Sequence, residues 1–142
     1  MIQIQMKGAT MDAMAELGEF MSSPVLRIDS EGSVQDAAIL MEKSHVGSLI
    51  VEEYGDDVGI ITERELSQKV LAKGGNPEEM TVSDIMTSIS SMDRYMPIEE
   101  ANIYMHKNKI RHLAVTDDDK IVGVLSVKDL VAYYSRDFRM QE

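Results

Sequence analysis

A shift of 64 residues lays this chain over itself, and that internal repeat constrains its fold more than any other feature. Residues 58–66, VGIITEREL, fall on residues 122–130, VGVLSVKDL, so that Gly59 meets Gly123, Thr62 meets Ser126, Arg64 meets Lys128 and Glu65 meets Asp129. Without a gap, residues 37–51, AAILMEKSHVGSLIV, fall on residues 101–115, ANIYMHKNKIRHLAV. Further upstream, FMSSPV (20–25) resembles IMTSIS (85–90) with a slip of one residue. A size and charge pattern kept over more than thirty positions implies two copies of one supersecondary unit.

Each copy reads in the same order. Ser33 followed by Asp36 has the form of a capping box, and Val34, Ala37, Ala38 and Met41 then recur at helical spacing. In the second copy Pro97 takes the first-turn position instead. Short apolar runs at 48–51 and 113–115, polar turns, and second apolar runs at 58–61 and 121–125 predict antiparallel hairpins. A second helix is expected to start at Thr62 and at Ser126, and short strands near 25–28 and 89–92 to supply the remaining sheet edge. Gly74-Gly75-Asn76-Pro77 closes the first copy. Met11, Met14, Leu17 and Met21 place one apolar face on an extra leading helix over 10–21. The expected division is an extension with leading helix over 1–18, a first repeat over 19–78 and a second over 79–142. The fold class is α+β: two β-α-β-β-α repeats, each too small to bury a comfortable core alone, packed as one pseudo-twofold domain with an extra N-terminal helix.

Charge removes several functions. Fourteen basic against 25 acidic residues leave a net charge of −11, a field that repels nucleic acid and anionic membrane surfaces. There are no cysteines, hence no disulfide, thiolate nucleophile or cysteine zinc site. No apolar run approaches the roughly 20 residues of a membrane span, and the N-terminus lacks the form of a secretory signal, so a cytoplasmic location is expected. His45, His106 and His112 have no metal-ligand spacing, Asp117-Asp118-Asp119 reads as a solvated hairpin tip, and no catalytic set is recognisable. Neither a metal site nor an enzyme is expected.

Three stretches carry a family resemblance: GIITEREL (59–66), VLAKGGNPEEMTVSDIMT (70–87) and KIRHLAVTDDDKIVGVLSVKDL (109–130). They resemble the ribose motif, the inter-repeat linker and the strand entry of tandem CBS domains, named after cystathionine β-synthase and also called Bateman modules. The resemblance covers residues 18–134. It implies a stand-alone, dimeric regulatory module that requires no cofactor. Its ligand would be an adenosine-containing nucleotide in a cleft between the repeats: AMP, ADP or ATP, with S-adenosylmethionine or NAD as alternatives. An unknown partner protein would read the bound state.

The residues themselves leave two readings of Thr62-x-x-Glu65 and Ser126-x-x-Asp129. Either pair can be a helix capping box. Alternatively the carboxylate accepts ribose hydroxyls, as an acid does in dinucleotide-binding folds, beside a helix N-terminus that favours phosphate. The copies differ. Lys128 follows Val127, and Arg111-His112 precede the strand; the first copy has Arg64 between two glutamates, with Gly47-Ser48 upstream. Charge-assisted contacts to phosphate are the stronger kind, so the second copy is expected to hold the better site. By the resemblance its lining is Ser23, Pro24, Val25, Arg111, His112, Val124, Ser126, Lys128 and Asp129, with Val124 under the adenine. The weaker site comprises Thr62, Arg64, Glu65, Thr87, Ser88 and Ile89. A ligand-independent dimerisation or scaffold module, in which both pairs are caps alone, is the alternative.

Overall fold

In the computed structural model the described residues are 15–141, side chains being described through residue 136. They form two compact units. One is Val25–Ile89; the other joins the described residues up to Pro24 to the chain from Ser90 onward.

In the Val25–Ile89 unit the order is β1 (Arg27–Asp29), α1 (Val34–Ser44), β2 (Ser48–Glu53), β3 (Asp56–Thr62), α2 (Glu63–Glu65) continuing as a π-helical stretch Leu66–Leu71, and α3 (Val82–Ile85). β1 runs parallel to β2 and β2 antiparallel to β3. The expected capping of α1 is present: Ser33 Oγ accepts from Asp36 N at 3.0 Å. Val34, Ala37 and Met41 pack from α1 against Leu49, Val51 and Ile61 of the sheet, with Val70, Val82 and Ile85 closing the core. Ala38, placed on the same stripe by spacing, is half-buried.

The second unit repeats the plan with β4 (Ser91–Asp93), α4 (Ile98–Asn108), β5 (His112–Asp117), β6 (Lys120–Ser126) and α5 (Val127–Gln141). Strand directions match the first sheet, and both hairpins carry a bulge at the same place, between Val51 and Glu52 and between Val115 and Thr116. Ile98, Ala101, Met105, Leu113, Val115, Leu125, Leu130 and Tyr133 form the core together with Leu17. Phe20 meets Tyr133 edge-on, with centroids 4.8 Å apart.

The segment ahead of each repeat repeats too, at a shift of 65. Ala15 O accepts from Ile98 N and Met80 O from Val34 N, both at 2.9 Å. These backbone carbonyls satisfy the first N–H of α4 and of α1, the groups a helix N-terminus leaves unpaired. Ile98 therefore needs no side-chain cap, and Pro97 occupies the capping position rather than the first turn expected of it. The 65-residue shift also aligns Leu17 with Val82, both fully buried. Leu17 sits in a single 3-10 turn, Leu17–Glu19, where the methionine spacing predicts an α-helix; Met11 and Met14 lie outside the described residues. Thr81 and Asp84 form a capping box on α3, an element the sequence reading passed over as part of the connection.

Candidate functional site

β6 ends by turning directly into α5, and the turn is held by its own side chains. Ser126 N and Oγ both donate to Asp129 Oδ2, at 2.8 and 3.0 Å, and Asp129 N donates back to Ser126 Oγ at 3.3 Å. Capping is therefore present, but it occupies one carboxylate oxygen. Asp129 is half-buried and its Oδ1 makes no hydrogen bond among the described residues, so an acceptor remains next to the cap. The two readings of this pair are compatible.

Antiparallel register gathers the neighbours. His112 lies directly opposite Ser126, and Ala114 opposite Val124. Val127 N donates to Arg111 O at 3.0 Å, which fixes the strand entry beside the helix start. The side chains of Arg111 and Lys128 are exposed and His112 is half-buried. On the far edge of β6, Ser22 and Val124 exchange backbone hydrogen bonds of 2.9 and 3.1 Å, which sets the exposed Ser23 and Pro24 immediately beyond that edge. Val25 opens the other unit. Ser22 itself, missed in the sequence reading, is the residue that docks this segment. Its signal was the one-residue slip between FMSSPV and IMTSIS.

The first copy builds the same device with different exposure. Thr62 N and Oγ1 donate to Glu65 Oε1 at 2.7 and 2.5 Å, and Arg64 N donates to Thr62 Oγ1 at 3.2 Å. Glu65 is only 5% exposed. Ser48 lies opposite Thr62. Ile60 and Thr87 exchange backbone hydrogen bonds of 2.9 Å, so Ser88 and Ile89 follow beside β3. Lys69 Nζ donates to Ile85 O at 3.0 Å and is thereby committed to the end of α3. No group of histidine, aspartate and glutamate side chains that could hold a metal ion occurs among the described residues. Among the same residues no helix is long and apolar enough to cross a membrane.

Two βαββα units, each with a hydroxyl–acid box where its last strand enters a helix and a preceding segment docked on that strand, define a tandem-repeat module. The chain belongs to the CBS domain family: the family's model, described as CBS domain, matches residues 17–72 and 82–136. The CBS domain-containing protein YhcV of Bacillus subtilis is 30% identical over 118 residues, 82% of this chain and 84% of YhcV. In two further relatives, 32% and 31% identical, the chain spans 60% and 61% of their length. The CBS domain pair of protein MJ0100, solved in complex with 5′-methylthioadenosine and S-adenosyl-L-methionine, superposes with a TM-score of 0.77 at 26% identity, covering 86% of this chain and 97% of that one. The CBS domain protein PAE2072 of Pyrobaculum aerophilum, solved with AMP, shares the fold at a TM-score of 0.75 and 22% identity, over 82% and 90% of the two chains.

Proposed function

We propose that this chain is a non-enzymatic regulatory module that binds an adenosine-containing nucleotide, of the AMP, ADP or ATP class, at the Ser126–Asp129 box. The observation that carries this reading is the division of labour within Asp129. Its Oδ2 caps α5 while Oδ1 stays available to a ribose hydroxyl. Ser23 and Pro24 stand exposed just beyond the edge of β6, where the family resemblance sets the pocket wall, Val124 offers the apolar contact for the base, and the exposed Lys128 and Arg111 supply cations for phosphate on an otherwise acidic protein. The adenosyl ligands bound by MJ0100 and the AMP bound by PAE2072 support the ligand class. Binding acts on a partner protein only insofar as the ligand favours one arrangement of the chain over another.

Calorimetry against AMP, ADP, ATP, S-adenosylmethionine and NAD tests the reading. Affinity tighter than about 1 mM, equivalent to about −4 kcal/mol, is expected for at least one of them. No binding by any of the five sinks it. The exposed apolar residues Val127, Val131 and Tyr134, one face of α5 at spacings of four and three, suit the homodimer the family resemblance implies. Light scattering at micromolar concentration distinguishes dimer from monomer. A dimer with no nucleotide response would favour the scaffold reading.

A further inference from the structure

α5 is apolar over a wider arc than its own core uses. At about 100° per residue, Tyr133, Leu130, Tyr134, Val127 and Val131 follow one another around about 160° of the helix. Tyr133 and Leu130 are buried in the core of their unit, whereas Val127, Val131 and Tyr134 are 40%, 59% and 38% exposed. Lys128, Asp129 and Arg136, the charged residues between Val127 and Arg136, all lie outside the arc.

The Val25–Ile89 unit has no such stripe. The residues 64 positions before Val127 and Val131 are Glu63 and Ser67, both exposed. Its exposed large apolar residues, Ile39, Tyr54, Val58 and Leu71, are scattered over α1, a hairpin tip, β3 and the π-helical stretch. Charge is divided unequally as well. Of the chain's 14 basic and 25 acidic residues, Val25–Ile89 holds five and thirteen, and the rest of the chain nine and twelve. The stripe therefore belongs to the less acidic unit.

The stripe is complementary to itself. Val131 sits at its middle, with Val127 about 6 Å before it along the helix and Tyr134 about 4.5 Å beyond. A twofold axis through Val131, with the two helices antiparallel, sets it against the partner's Val131 and sets Val127 against the partner's Tyr134. That is the reciprocal pairing of an isologous contact. Packed instead on the Glu63–Ser67 face of a second copy, the same stripe would leave a carboxylate and a hydroxyl facing valine without hydrogen bonds. It would also bring the chain's most acidic unit against another acidic one.

We infer that the chain forms a twofold dimer centred on α5, second repeat against second repeat, with Val131 on the axis, and that the contact closes at two copies. This inference rests on the homodimer of the proposed function and adds to it the face and the orientation; nucleotide binding does not enter it.

Cysteine cross-linking reads the geometry directly, because the chain has no cysteine of its own. A disulfide needs Cα atoms within about 7 Å of each other. Val131→Cys is expected to form a covalent dimer under mild oxidation at least tenfold faster than Ala132→Cys, an exposed position about 100° round the same helix. A mixture of Val131→Cys and Ser67→Cys chains is expected to give no bridge between the two. By light scattering at micromolar concentration, Val131→Glu is expected to weaken the dimer at least tenfold and Ser67→Glu to leave it within about twofold, circular dichroism confirming that each is folded. A bridge from Val131 to Ser67, equal rates at 131 and 132, a folded Val131→Glu that dimerises as wild type does, or assembly beyond two copies overturns the inference while leaving self-association in place. A monomeric wild type overturns the homodimer along with it and assigns the stripe to another occupant, residues 1–14 of the same chain or a different protein.

Discussion

Met21 places its thioether where a side chain at Gly123 would have to be. A Cβ built on Gly123 overlaps Met21 Sδ and lies 2.8 Å from Met21 Cγ, and the other unit repeats the arrangement, a Cβ on Gly59 falling 2.6 Å from Met86 Sδ. Neither glycine needs a left-handed backbone. Each is there so that the segment ahead of a repeat can lie flush on a strand, with Ser22 pairing to Val124 and Thr87 to Ile60.

The Gly123→Ala substitution should therefore cost about 1–3 kcal/mol, the usual range for an overpacked methyl. Its cost should shrink but not vanish when Met21 is also replaced by alanine, which removes the thioether but leaves Ser22 O 2.9 Å from the same Cβ. Urea denaturation of the four members of this double-mutant cycle measures the coupling. Strict additivity would mean that the Ser22 carbonyl, and not Met21, sets the cost.

Capping and ligand contact can be separated at the Ser126–Asp129 box. Ser126→Ala removes the hydroxyl that accepts from Asp129 N and should lower stability by about 1 kcal/mol. Asp129→Asn keeps an oxygen able to accept from Ser126 N but loses the charge, so nucleotide affinity should fall at least fivefold with little change in melting temperature. Should Asp129→Asn bind nucleotide as wild type does, the carboxylate is a cap and nothing more.

The two hairpin tips solve one problem with unequal residues. Tyr54 and Gly55 have φ of 52° and 85°, while Asp118 and Asp119 have φ of 54° and 64°. Both central positions of such a turn favour Asn-Gly or Asp-Gly. Asp119→Gly should raise stability by about 0.5–1 kcal/mol, relieving the left-handed backbone and thinning a run of three like charges. A lower urea midpoint would show that Asp119 makes a contribution its exposed position does not suggest.

Much of this architecture is legible in the sequence because the repeat supplies a second copy of every cue. Thr62 and Ser126 start helices as their spacing requires, and the strands at 48–53 and 112–117 extend the apolar runs by only a few residues. What escaped local reading is either a helix that bonds one residue out of step or a contact between distant segments. Leu66–Leu71 reads as ordinary helix, yet Ala72 N reaches back to Ser67 O at 2.9 Å in a π-type turn, and Gly75 N reaches Val70 O in the same way. Pro97 needs no capping role once Ala15 O has satisfied Ile98 N. That Ser22 and Thr87 dock on β6 and β3 follows from a 65-residue correspondence, which a comparison at 64 residues renders as a slip.

One ion pair sets the two sheets apart. Arg27 donates from Nε to Asp57 Oδ1 at 2.8 Å and from Nη2 to Asp57 Oδ2 at 3.0 Å; the residues 64 further on are Ser91 and Ile121. The hydrogen bonds to Asp57 raise the guanidinium pKa above its ordinary value, and burial opposes the rise. A raised cationic pKa contributes stability below its unfolded value and loses it only as pH climbs through the folded one, so the Arg27 side of the pair stays constant across all ordinary pH. Salt is the usable probe. Both side chains remain partly exposed, at 33% and 22%, which limits the pair to about 0.5–1 kcal/mol. A double-mutant cycle of Arg27→Met and Asp57→Asn should return that coupling at low salt and about half of it in 1 M sodium chloride, where screening acts over about 3 Å. Coupling that does not change with salt would mean that the fork geometry of the hydrogen bonds, and not the charge, holds β1 to β3.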